Sequence, residues 1–314
     1  MSAAVDLSVV VGRLALRNPI LAASGTYGSG VEAAASVDLS RIGGVVTKSV
    51  TTKPRPGNPP PRIWETSSGM LNSIGLMNPG LDAFRRDVLP RLAELPCARV
   101  VNVAGENEDD FEALTRAFGD HPAVDAIELN VSCPNVAHGL DYGVRDDLLE
   151  ALVARCRKAT AKPLFVKVTP NVADVTRQAL AAERGGADAV SAVNTFVGMA
   201  VDWRRREPRL GSATGAGGLS GPAVKPLALF AVHRIAKAVR LPILAIGGVQ
   251  DADDVCDFIA TGATAVQVGT QNFVDPAAGV RIVETLEAWA RTGALPPFDA
   301  LRGALRTPRG ARPS

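Results

Sequence analysis

The chain has 314 residues, 46% hydrophobic, 21% charged and only 4% aromatic, with a formal net charge of +2. That composition supports a sizeable core built from Ala, Val, Leu and Ile, and it excludes a disordered chain. The near balance of charge gives no general attraction to nucleic acid, and no apolar run reaches the roughly eighteen residues that a membrane span needs.

At the N-terminus, MSAAVDLSVVVGRLAL carries no basic stretch ahead of its apolar residues, so a cleaved signal is not expected. Residues 5–16, with Gly12-Arg13 at the turn, read as a β-hairpin placed to close a barrel floor. Short apolar runs then follow at 20–23, 44–47, 100–104, 126–130, 164–168, 189–193, 243–246 and 265–268. Continuous runs of this kind suit parallel strands buried on both faces. Amphipathic segments lie between most of them, such as 146–159 and 172–184. Repeated strand–helix alternation predicts an α/β fold, a (β/α)8 TIM barrel, rather than a doubly wound sheet, which usually carries fewer strands. On this reading 1–314 form a single domain.

Two segments are too long to be plain connections. Residues 49–80 follow the second strand and 195–225 the sixth; both are rich in Gly and Pro. They read as loop insertions at the C-terminal face, where barrel enzymes build their sites, and the first is a candidate lid. Residues 302–314 are basic and aperiodic, which predicts a flexible tail.

Chemistry-bearing residues gather at the strand ends. In chain order they are Ser24, Lys48, Asn102, Asn130 with Cys133, Lys167, Asn194, Gly247-Gly248 and Gly269-Thr270. A barrel brings these positions to one face, where amides, hydroxyls and two lysines are costly to bury without a ligand. The glycines after the seventh and eighth strands occupy the usual phosphate position of this fold, and a following helix start adds a favourable dipole. Gly221, in GGLSGP, offers a third donor. Lys167 lies inside the apolar run LFVKVT, pointing into the barrel mouth. Its ammonium suits either a Schiff base with a carbonyl substrate or stabilisation of negative charge on a cofactor ring. Lys48, in VVTKS, poses the same choice, and two lysines fit charge stabilisation better.

The four cysteines are Cys97, Cys133, Cys156 and Cys256. None forms a Cys-x-x-Cys pair, which argues against a zinc site, an iron–sulfur cluster or a disulfide framework in this chain. The expectation is a soluble cytoplasmic protein with no metal site. Cys97, Cys156 and Cys256 read as small buried hydrophobes. Cys133, in LNVSCPNV, stands in a polar loop facing the predicted pocket, able to act as nucleophile or general base. His138 is the nearest histidine in sequence and reads as a solvated loop residue, so the general base is favoured.

These residues carry a resemblance. NPILAASGT, VVTKSVT, MLNSIGLMNPG, ELNVSCPN, VKVTPN, NTFVGMAVD, GGLSGPAVKP, IGGV and VQVGTQNF occur in order over 7–276. The set resembles the catalytic subunit of class 1 dihydroorotate dehydrogenases, FMN-containing barrels of pyrimidine (UMP) biosynthesis. Cysteine at position 133 is like class 1, since the membrane-associated class 2 enzymes use serine there. The stretch from Gly198 to Pro226 is most like the NAD-linked class 1B.

By matching position, the resemblance implies FMN contacts at Ser24, Lys48, Ser49, Asn102, Asn130, Lys167, Val193, Gly221, Gly247, Gly248, Gly269 and Thr270. It implies substrate contacts at Lys48, Asn72, Ser73, Ile74, Gly75, Leu76, Asn130, Asn194 and Thr195. Cys133 is implied to take the C5 proton of (S)-dihydroorotate while hydride leaves C6 for N5 of FMN. Class 1B further implies a homodimer core within a heterotetramer, its partner subunit carrying FAD and a [2Fe–2S] cluster and passing electrons to NAD. One departure is Met77, where many relatives have Gln. The Arg204-Arg205-Arg206 run reads as a solvated face or as a docking patch for a partner. The competing readings are a class 1A enzyme reducing fumarate, a dihydropyrimidine dehydrogenase-like flavoprotein, a Schiff-base aldolase using Lys167, and a non-catalytic scaffold.

Overall fold

Val9–Val11 (β1) and Leu14–Leu16 (β2) each alternate buried and exposed residues, and they pair antiparallel as the expected hairpin. The computed structural model describes residues 6–132 and 142–306. Barrel strands β3 (Ile20–Ala22) and β4 (Gly44–Val46) are followed by an inserted pair, β5 (Ile63–Thr66) and β6 (Gly69–Asn72). Next come β7 (Ala98–Val103), β8 (Ala126–Asn130), β9 (Leu164–Lys167) and β10 (Ala189–Ala192). A second insertion holds β11 (Phe196–Met199), β12 (Val201–Asp202), β13 (Glu207–Pro208) and β14 (Ala216–Ser220). Finally, β15 (Ile243–Ile246) and β16 (Ala265–Val268) complete the barrel.

Hydrogen bonding runs β3-β4-β7-β8-β9-β10-β15-β16 and returns to β3, parallel throughout. This is the closed (β/α)8 barrel that the alternation of runs predicts. Five strands end one residue earlier than their apolar runs, so Ala23, Thr47, Ala104, Val168 and Val193 already belong to the mouth.

The barrel interior is layered. One apolar residue from each strand packs against the hairpin: Leu21, Val46, Val100, Ala126, Phe165, Ala189, Leu244 and Ala265 meet Val9, Val11, Leu14 and Leu16. The hairpin therefore closes the floor, as the sequence predicts. Side chains on a strand repeat every two residues, so the next inward layer holds Asn102, Glu128, Lys167, Ser191 and Gln267. All five are buried. An apolar floor thus gives way abruptly to a polar layer one step nearer the mouth.

Outside the barrel, helices bury their apolar stripes against the strands. Glu108–Gly119 buries Phe111, Leu114 and Phe118, and Asp146–Ala159 buries Leu149, Leu152, Val153 and Cys156. The expected helix over 172–184 begins instead at Val175, because the Asp174 carboxylate caps it by accepting from Thr176 N at 3.0 Å. No helix among the described residues is long and apolar enough to cross a membrane.

The two insertions depart from the expectation of loops. They form one antiparallel sheet in the order β11-β14-β6-β5, and β12 pairs with β13 beside it. Glycine permits the close approach: a Cβ on Gly218 of β14 would lie 2.1 Å from Thr195 Oγ1. At the other end of the chain, Gly303 N donates to Ile259 O at 3.1 Å, which holds the start of the expected tail against the barrel. Residues 307–314 lie outside the described residues.

Candidate active site

The C-terminal ends of β4, β7, β8, β9 and β10 bring Ser49, Asn130, Asn194 and Thr195 into one bonded cluster. Asn130, 9% exposed at the end of β8, donates from Nδ2 to Ser49 Oγ at 3.3 Å. Asn194 Nδ2 in turn donates to Asn130 Oδ1 at 3.3 Å, and Asn194 Oδ1 accepts from Thr195 N at 2.9 Å. Asn102 is fully buried on β7; its backbone N donates to Thr47 Oγ1 at 3.2 Å, and its carbonyl accepts from Val50 N at 2.9 Å. Val193 is buried immediately after β10, its N bonded to Ile246 O at 3.1 Å.

Lys167 ends β9 at 6% exposure. Burial pushes its ammonium below the ordinary lysine range, and the Glu128 carboxylate partly opposes that. Lys48, half-buried just past β4, is also lowered, first by burial and then by the positive charge of Lys167. The site therefore concentrates cationic charge in a place of low water access, an arrangement that favours an anionic or electron-rich ligand.

The glycines expected to hold a phosphate come together at the loops after β14, β15 and β16. Gly247 and Gly248 adopt φ of 135° and 78°, a backbone that non-glycine residues rarely take. Gly248 packs so closely on the chain after Gly221 that a Cβ there would lie 2.7 Å from Lys225 N. Thr270 Oγ1 donates to Ser220 Oγ at 2.8 Å, joining the β16 and β14 loops. The helix after Thr270 spans only Gln271–Val274, so the dipole expected at that loop is a single turn's worth. Ser24 lies in the turn after β3, next to Ala23, which would be the nearest contact of a Cβ on Gly269 at 3.7 Å.

Among the residues expected to contact substrate, Asn72 ends β6 and donates from Nδ2 to Gly218 O at 3.3 Å. Ser73 is buried with its Oγ lacking a partner. Ile74, Gly75 and Leu76 form the following turn, with φ of 72° at Gly75 and 55° at Leu76, held where Asn58 N donates to Ile74 O at 3.1 Å. A cavity of about 190 Å³ runs beside Lys48 and Ser49 and beneath Met77, Asn78 and Pro79. A larger hollow of about 370 Å³ is lined by Asp109, Glu112, Arg116 and Arg155 on the outer helices, where these charges pair with one another. It has no connection with the strand ends.

Met77 is 47% exposed, its sulfur accepting from Arg62 Nη1 at 3.0 Å, which keeps this departure at the loop surface. Arg204, Arg205 and Arg206 form the exposed turn between β12 and β13, with the Arg204 guanidinium 4.5 Å from the Trp203 ring centroid. Cys133 and His138 lie outside the described residues. The thiols of Cys97, Cys156 and Cys256 are each pushed up to about 11 by burial, which removes them as bases near neutral pH.

A profile of the family described as dihydroorotate dehydrogenase matches residues 6–289. The chain belongs to the dihydroorotate dehydrogenase family. A relative from Trichlorobacter lovleyi, named "Dihydroorotate dehydrogenase B (NAD(+)), catalytic subunit", is 47% identical over 300 residues, covering 95% of this chain and 98% of the relative. Proteins of the same name from Geobacter metallireducens and Bacteroides fragilis are 45% and 42% identical, each over 96% of this chain and at least 98% of their own length. The crystal structure of DHODH from Eimeria tenella in complex with ferulenol aligns with a TM-score of 0.77 at 24% identity, covering 95% of this chain and 88% of that one. At that identity the likeness concerns the fold alone.

Sequence reasoning missed three residues of this dihydroorotate dehydrogenase family member: Glu128, Ser191 and Gln267. Each is 0% exposed. Ser191 Oγ donates to Glu128 Oε2 at 2.5 Å, Gln267 Nε2 to Glu128 Oε2 at 2.9 Å, and Asn102 Nδ2 to Glu128 Oε1 at 2.7 Å. The signal was present. Glu128 stands two residues before Asn130 on the same strand face, and a polar residue inside an apolar run is the same mark that singled out Lys167.

Proposed function

We propose that this chain is the FMN-carrying catalytic subunit of an NAD-linked dihydroorotate dehydrogenase, oxidising (S)-dihydroorotate to orotate in pyrimidine biosynthesis. The observation that carries this reading is 42 to 47% identity, over at least 95% of the chain, to proteins that share that one name. The geometry supports it. Asn102 Oδ1 and Ser73 Oγ are buried polar atoms without a protein partner, a pattern that a hydrogen-bonding ligand resolves. The glycine backbone at Gly247 and Gly248 suits a phosphate, together with Gly221, Gly269 and Thr270. Ser24, Lys48, Ser49, Asn102, Asn130, Lys167 and Val193 would hold the remainder of the FMN.

When bound, FMN supplies at N5 the two-electron acceptor for the hydride leaving C6 of dihydroorotate. The residues of the chain do the rest. Cys133 takes the C5 proton, so that one proton and one hydride leave and a carbon–carbon double bond forms. Lys48 binds the substrate carboxylate, while Asn72, Asn130, Asn194 and Thr195 offer donors and acceptors to the pyrimidine carbonyls and N–H groups. The turn from Ser73 through Leu76 would cover the substrate and exclude water. Lys167 would supply the positive charge that stabilises the reduced flavin.

A partner subunit carrying FAD and a [2Fe–2S] cluster would supply the route to NAD as final acceptor, around a homodimer of this chain in the cytoplasm. The test is acceptor choice. FMN-loaded chain is given dihydroorotate with NAD or with fumarate, in the presence and absence of an electron-transfer subunit. NAD reduction that requires the added subunit is expected. Fumarate turnover by the chain alone would assign it to the fumarate-linked class instead.

A further inference from the structure

We propose that Glu128 is a positioning residue that fixes the rotation of the Asn102 side-chain amide, so that its carbonyl oxygen is the group offered to bound flavin; this rests on the FMN reading above. Glu128 is 0% exposed and stands in the polar layer directly above the apolar floor. A carboxylate is an acceptor only, whereas an amide is both donor and acceptor. The 2.7 Å contact between Asn102 Nδ2 and Glu128 Oε1 therefore permits one rotation of the amide: nitrogen toward Glu128, oxygen away from it. That oxygen, Asn102 Oδ1, is buried and has no partner in the protein. The same holds for Gln267, which spends Nε2 on Glu128 and leaves a buried, unpartnered Oε1.

A purely structural role accounts poorly for this arrangement. Burying a carboxylate is costly, and buried ionic groups are often replaced by apolar ones with no loss of stability. Here the carboxylate collects donors from β7, β10 and β16, three strands other than its own. It sits beside Lys167 as well, and its charge helps retain the proton on that buried ammonium. One acidic side chain thus orients two amides and supports one cation, all beneath the strand-end cluster.

The test compares wild type, Glu128→Gln and the exchange variant Glu128→Gln/Asn102→Asp for FMN affinity and thermal melting. Glu128→Gln leaves one acceptor oxygen for the Asn102, Ser191 and Gln267 donors that two now serve, so the Asn102 rotation is no longer enforced, and about a tenfold or greater loss of FMN affinity is expected from one mis-set hydrogen bond. The exchange keeps one carboxylate and one amide in contact and again turns an acceptor toward the site, so it should recover most of that loss. Unchanged FMN affinity in Glu128→Gln overturns the proposal, as does an exchange variant that binds no better than the single one. If Glu128→Gln does not fold, the exchange variant decides alone. Folded and binding FMN, it supports the proposal; folded without FMN, or unfolded, it overturns it. Wild type that binds no FMN at all defeats the flavin reading instead, so the two failures are distinguishable.

Discussion

The Lys167 ammonium bears on Lys48 across the barrel mouth, and its positive charge adds to burial in lowering Lys48 below the ordinary lysine range. Burial disfavours both ammonium groups, and Lys167 further disfavours Lys48, so the site favours an anion or an electron-rich ring. Lys167→Ala is expected to weaken FMN retention or flavin reduction about 10- to 100-fold, the worth of a charge-assisted hydrogen bond. Equilibrium dialysis with FMN and stopped-flow reduction measure the two quantities. A variant unaltered in both removes Lys167 from the site.

Cys133 is the residue assigned to proton removal, and the other three thiols are held up at about 11. Cys133→Ala should keep its FMN and lose about 10²- to 10⁴-fold in the rate of flavin reduction by dihydroorotate. Iodoacetamide near neutral pH should modify Cys133 ahead of Cys97, Cys156 and Cys256, as peptide mapping would reveal. Full-rate reduction in the alanine variant rules out its role as the base.

The floor of the barrel makes a separate prediction about stability. Phe165 is 0% exposed and packs within the cluster formed by the hairpin and the lowest layer of the strands. Phe165→Ala should cost about 3–5 kcal/mol in urea unfolding, because the ring leaves a cavity that closed strands on all sides cannot collapse into. A cost below about 1 kcal/mol would mean the hairpin does not seal the barrel tightly.

Asp188 fastens the hairpin to the strands above it. It accepts from Arg13 Nε at 2.9 Å, from Arg157 Nη1 at 2.7 Å and from Leu164 N at 2.8 Å. Burial raises its pKa, but the Arg13 and Leu164 hydrogen bonds and the charges of Arg13 and Arg157 outweigh that, leaving it below the ordinary 3.8. A depressed carboxylate stabilises the fold above its unfolded value, and that contribution is lost as pH falls through the folded one. Asp188→Asn should therefore cost about 1–3 kcal/mol at neutral pH, and the gap from wild type should close in acid below 3.8. An equal gap at both ends of a pH series of denaturant melts contradicts this.

Eight apolar runs made the barrel legible, since parallel strands buried on both faces leave that pattern and little else does. The strand-end residues were legible for the same reason: Lys167 and Asn130 are polar residues that end largely apolar runs. Glu128 and Gln267 interrupt them too, but they sit within strands rather than just past them, where no loop or motif draws attention. Their pairing joins residues far apart in the chain, and only barrel closure sets Gln267 against Glu128. The insertion sheet was hidden more thoroughly. Its β14, AGGLS, has too few side chains to alternate, and its strand character comes from pairing with β6 and β11.

The most direct measurement mixes FMN-loaded chain with dihydroorotate under anaerobic conditions and follows the flavin absorbance together with orotate formation. The expected result is bleaching of the oxidised flavin band, with orotate appearing in proportion to the FMN reduced. FMN-loaded protein whose spectrum is unchanged by dihydroorotate would contradict the assignment of this barrel as a dihydroorotate-oxidising subunit.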